Sequence, residues 1–204
     1  FIKDTKVISE RYDELPFTGK ELKEIGEIFN KASLLTREKA SEKNIKDLNL
    51  KDYDVISFAT HAEVFGSFKD FNEPFLVLSP PKKSSQNDDG LLTTSEISEL
   101  DLDAELVILS ACNTSSKSNK YAAGFSGLIN SFFAAGSKSV IATHWPVEDE
   151  AGYLLMSETM KKVINFDQSI SVALQNTKIE FIKGKYGEKF KKPLFWAPYV
   201  YVGL

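Results

Sequence analysis

The sequence predicts an α/β protein in three layers, with a mostly parallel central sheet flanked by helices on both faces. Three observations carry that reading. Apolar runs rich in β-branched residues, at 54–60 (D-V-I-S-F-A-T), 105–110 (E-L-V-I-L-S) and 139–143 (S-V-I-A-T), read as core strands. Segments with apolar residues at helical spacing alternate with them. The chain has 204 residues, 42% of them hydrophobic and 26% charged, which suits one globular domain over 1–204 with a substantial core.

Taken in order, residues 19–30 place Leu22, Ile25, Ile28 and Phe29 on one helical stripe. Thr18 is the expected N-cap, with Glu21 as its capping-box partner. A second helix is expected after Thr36, over 37–44. The strand at 54–60 ends at His61, and a further strand is expected at 75–78, before Pro80 and Pro81. Residues 82–89 (K-K-S-S-Q-N-D-D) read as a polar surface loop closed by Gly90. A short helix is expected at 94–100, and the strand at 105–110 runs into Ala111 and Cys112. After a polar stretch at 113–120, an apolar helix over about 122–135 stops at Gly136. The strand at 139–143 ends at His144. Amphipathic helices follow at 150–163 and 168–183, and the tail F-W-A-P-Y-V-Y-V-G-L reads as a last strand, with Pro198 marking an edge or a strand start.

A formal net charge of −4 argues against a nucleic-acid surface, and no apolar run approaches the length of a membrane span. The chain begins at Phe1 rather than Met and reads as a piece of a longer protein. With a single cysteine it has no internal disulfide, which suits a reducing cytoplasm.

Three predicted strands end in side chains with useful chemistry: His61, Cys112 and His144. They include both histidines and the one cysteine of the chain. Ligands bind beyond the carboxyl ends of strands in open parallel sheets. A thiolate is a strong nucleophile, and a histidine can take the thiol proton and return it to a leaving amine. Cys112 and His61 are therefore the candidate catalytic pair. The backbone N–H groups of Ala62 and Cys112 are the candidate oxyanion donors, and Ser110, Asp149 and His144 are candidates for contacting substrate. Asp149 has two readings, a carboxylate that receives a basic substrate side chain or a charge suited to a helix N-terminus. His144 lines the site, competes as a base or caps its strand. No metal or cofactor motif is present.

These residues sit in a longer pattern: L-P-F-T-G-K-E-L-K-E-I at 15–25, Y-D-V-I-S-F-A-T-H at 53–61, D-G-L-L-T-T-S-E-I at 89–97, E-L-V-I-L-S-A-C-N-T at 105–114, G-F-S-G-L-I-N-S-F-F-A-A-G-S-K-S-V at 124–140, H-W-P-V-E-D-E-A at 144–151 and F-W-A-P-Y-V-Y-V-G at 195–203. In this order they resemble the CHAT domain, a caspase-like domain often attached to tetratricopeptide repeats in bacteria. The resemblance implies a caspase-like sandwich, a dyad of His61 and Cys112, and cysteine endopeptidase activity on a protein substrate. By analogy with separase it also implies that Asp149 faces a basic substrate side chain. Upstream repeats and an activating partner are the expected companions. Two positions depart from the family pattern, Ala62 where glycine is usual and Ala123 where glutamate is frequent. The competing reading is a caspase-like interaction domain without catalysis.

Overall fold

Strands that are apolar on both sides need cover on both faces, and this places the predicted core strands at the centre of the sheet. The computed structural model describes residues 2, 5–29, 31–63, 73–112 and 120–203, with backbone alone at 111–112 and 120–125. Its strands are β1 (Val55–Glu63), β2 (Phe75–Val77), β3 (Leu91–Thr93), β4 (Leu106–Cys112), β5 (Ser139–Thr143) and β6 (Tyr199–Gly203). They form one six-stranded sheet in the order β3-β2-β1-β4-β5-β6. The centre, β1, β4 and β5, is parallel. Both edges are antiparallel: β2 and β3 on one side and β6 on the other. β3, with three residues, is too short for any periodicity to announce it.

The helices are α1 (Lys6–Arg11), α2 (Thr18–Ile28), α3 (Glu42–Lys46), α4 (Thr94–Ser98), α5 (Lys120–Ala134), α6 (Asp149–Phe166), α7 (Ile170–Ile182) and α8 (Pro193–Trp196). Side chains alternate across a strand, so β4 feeds two cores. Val107 and Leu109 join Phe58 and Val140 beneath Ile45 of α3, Ile97 of α4 and Phe132 of α5. Leu106 and Ile108 join Ile141 beneath Ile25 of α2, Leu155 and Met156 of α6, and Phe181 of α7. The result is the expected three-layer sandwich. α1 lies apart, with Ile8 against Phe75, Val77 and Leu91 of the β2–β3 edge.

Several local expectations need correction. The region after Thr36 is not one helix. A 3₁₀ turn at Arg37–Lys39 precedes α3, whose N-cap Ser41 accepts a hydrogen bond from the Asn44 N–H. Thr18 does not cap α2; its hydroxyl donates to the Leu15 carbonyl, and Phe17 holds the N-cap position. A complete capping box forms instead at α4, between Thr93 and Glu96. Phe195 and Trp196 belong to α8, started by Pro193 at its first position, and the last strand begins only at Tyr199. The 82–89 loop is tied down at its end. Glu42 accepts from the N–H groups of Asp89 and Gly90, and Asp89 accepts from Ile2 and Leu91. Gly136 ends α5 at φ +110°, where a side chain would meet the Leu102 carbonyl. Among the described residues no helix is long and apolar enough to cross a membrane.

Candidate active site

The parallel ladder between β1 and β4 sets the site. Its register pairs Val55 with Leu106 and, six residues on, His61 with Cys112. Neighbouring strands lie about 4.8 Å apart, and paired positions share a face of the sheet. This face is the one covered by α2 and α6, since Leu106 and Ile108, at the same parity as Cys112, pack there. From β1 the sheet continues to β2 on one side, and from β4 it continues to β5 on the other. The strand order therefore reverses between β1 and β4, where α/β sheets open a crevice at their carboxyl ends. β5 ends at the same edge, followed by the exposed His144, whose N–H donates to the Pro198 carbonyl at 3.0 Å.

His61 is half-buried beneath the connection between α1 and α2. Its Nε2 lies 2.8 Å from the carbonyl oxygen of Asp13. A carbonyl oxygen can only accept, so Nε2 carries the hydrogen of this bond, and in the neutral ring the lone pair is on Nδ1. The Tyr12 ring covers the imidazole, with centroids 5.2 Å apart. The Tyr12 hydroxyl donates to Glu63 at 3.4 Å. Burial first, and then the Glu63 charge, hold that phenol well above its ordinary range, so it stays a neutral donor. Ala62 is a buried residue of β1, paired with Leu76 of β2. The described non-glycine residues with positive φ are Arg37 and Asp167, so the backbone at Ala62 makes no demand that only glycine could meet.

Asp149 opens α6 and is half-buried. One of its carboxylate oxygens accepts the Phe17 N–H at 2.6 Å. Burial raises its pKa, opposed by that hydrogen bond and by the nearby charge of His61. Asp149 thus begins a helix, as one of its two readings expects, and it also stands within the electrostatic reach of the histidine.

Ser110, two residues before Cys112, donates through its hydroxyl to Glu21 of α2 at 2.6 Å. Glu21 is 1% exposed. Burial pushes its carboxyl up to about 7; the Ser110 hydrogen bond opposes this and the Asp149 charge adds to it. Sequence reasoning placed Glu21 in a capping box and missed this role. The available signal was its position four residues before Ile25 on the apolar stripe of α2, where a charged residue needs a partner. The Asp13 carbonyl had no signal, because any residue type supplies one.

The structure therefore brings His61, Ser110, Asp149 and the backbone position of Cys112 to one edge of the sheet. The polar stretch at 113–119 lies outside the described residues, as does Asn30 at the expected end of α2. Among the described residues no group of three His, Cys, Asp or Glu side chains is arranged for a metal ion.

A single open sheet, parallel at its centre and flanked by helices on both faces, fits a caspase-like sandwich. The CHAT domain family model matches residues 3–204, and the chain belongs to that family, which is of the caspase-like cysteine peptidase type. None of the curated proteins matches the chain.

Proposed function

We propose that this domain is a cysteine endopeptidase acting on a protein substrate. The observation that carries the reading is the His61–Cys112 register pair at the strand-order reversal. His61 Nδ1 takes the thiol proton as sulfur attacks the scissile carbonyl carbon, and the oxyanion forms against the N–H groups of Ala62 and Cys112. The C–N bond breaks as the imidazolium returns the proton to the leaving amine, leaving a thioester on Cys112. Water, deprotonated by His61, then releases the acid and restores the thiol. The Asp13 carbonyl orients the imidazole and selects its tautomer, the part a third group plays in such sites.

Asp149 supports a preference for a basic residue before the cleaved bond, because a half-buried carboxylate beside the dyad offers charge-assisted hydrogen bonds to Arg or Lys. Upstream tetratricopeptide repeats, an activating partner and a cytoplasmic setting complete the proposal. The test is labelling by peptide electrophiles ending in Arg, Lys or Asp. Asp149→Asn is expected to slow labelling by the Arg and Lys probes at least tenfold and to leave the Asp probe unchanged. An equal loss for all three would refute the pocket.

A non-catalytic interaction domain is the second reading. The observation that bears on it is the pairing of Ala62 with Leu76 inside the β1–β2 ladder, at the position proposed to supply an oxyanion N–H. No labelling of Cys112 in the presence of the upstream repeats and partner would decide for it.

A further inference from the structure

The connection from Asp13 to Glu21 touches three elements of the site, at positions four residues apart. The Asp13 carbonyl holds His61 near the end of β1. The Phe17 N–H holds Asp149 at the start of α6. The Glu21 carboxyl holds Ser110 on β4. The segment is itself wound into one piece, since the Glu21 N–H donates to the Phe17 carbonyl at 2.8 Å. It is anchored sideways by the Phe17 ring on Tyr153 of α6, with centroids 6.1 Å apart.

We propose that Glu21 is a positioning residue for Cys112, its buried carboxyl holding Ser110 and with it the end of the strand that presents the nucleophile. This inference rests on the peptidase reading and deepens it. A buried carboxyl is costly unless it is hydrogen-bonded, and here its partner is the hydroxyl two residues before the cysteine position, on the same face of β4. Leu106 and Ile108 of the same strand face pack in the apolar layer beneath α2 and α6, below Ser110. An apolar residue at 21 would have served packing alone. A carboxyl supplies a directional acceptor that fixes the rotation of Ser110 and ties α2 to β4 at the level of the dyad, while the same segment ties His61 from the other side. Acylation requires sulfur, imidazole and carbonyl carbon within a narrow geometry, and small misplacements slow it strongly.

The test uses a peptidyl acyloxymethyl ketone that labels the wild-type protein, with the inactivation rate constant and the binding constant measured separately across pH 5–9. Glu21→Ala and Ser110→Ala are each expected to lower the rate constant at least tenfold with less than a threefold change in binding. Glu21→Gln, whose amide oxygen still accepts from Ser110, is expected to restore most of the rate. A lowered melting temperature with an unchanged rate constant in Glu21→Ala would show a role in packing only and overturn the proposal, as would a Gln variant no better than the Ala variant. Cys112 is the only cysteine of the chain, so iodoacetamide alkylation across the same pH range reads its thiolate directly. A wild-type protein that no peptide probe labels, and whose alkylation is unchanged in His61→Ala, overturns the peptidase reading and this one with it. Normal wild-type labelling with indifferent Glu21 variants overturns the positioning role alone.

Discussion

Replacing Cys112 by alanine is expected to abolish labelling by a peptide electrophile, and His61→Ala is expected to slow acylation by about 10²–10⁴-fold. The two effects differ in kind. Without sulfur there is no acyl-enzyme, whereas without the imidazole the thiol is still present and reacts through the fraction ionised at ambient pH. His61→Ala also removes the hydrogen bond to the Asp13 carbonyl, a net cost of about 1 kcal/mol, so the variant is expected to remain folded. Active-site labelling with mass detection, next to thermal melts of both variants, separates chemistry from folding. Equal labelling of wild type and His61→Ala would end the dyad, and retained labelling in Cys112→Ala would show a different nucleophile.

The second large effect is on stability. Glu21 has its pKa raised from 4.5 to about 7 in the fold, first by burial. The native state therefore binds more protons than the unfolded state between these values. Stability falls as pH rises through that window, and the contribution is fully lost above about 7. The corresponding free energy is roughly 3 kcal/mol, at 1.36 kcal/mol for each tenfold step in proton affinity. Glutamine has the same shape and no charge. Glu21→Gln is thus expected to match the wild type near pH 4 and to exceed its stability by roughly 3 kcal/mol at pH 8. Asp149 and Asp89, whose carboxyls are also raised by burial, titrate in both proteins and largely cancel in the difference. Urea unfolding of the pair at pH 5 and pH 8 checks this. A constant difference across pH would mean that Glu21 ionises in the fold as it does in water. The prediction agrees with the positioning role, since a residue kept for stability alone would not be one whose charge weakens the fold at neutral pH.

Local pattern carried much of the architecture. The β5 boundaries match the expected 139–143 run, a short β-branched apolar stretch set between Gly136 and Pro146. The expected capping box at Thr18 failed for an instructive reason. The same Glu three residues after a threonine can reach back to its own helix or outward to a neighbouring strand, and short-range sequence does not distinguish the two. Here Ser110, 89 residues away, took the carboxyl. The end of the chain was half legible: Pro198 marked the start of an edge strand, and β6 begins at Tyr199, but Pro193 starts a helical turn that turns Phe195 into the second core before it.

The sequence by itself determined that Cys112 ends an apolar strand and that His61 lies near the end of another, which runs two residues further to Glu63, because hydrophobic patterning is a local property that survives in one dimension. It also carried the family pattern that spans the chain. Only the tertiary structure decided that these two runs are neighbours in equal register, that a main-chain carbonyl holds the imidazole, and that a glutamate of the entry helix meets the strand of the nucleophile. Strand order, register and the partners of a buried carboxyl are set by contacts between segments far apart in the chain, and no window of sequence contains both halves of such a contact.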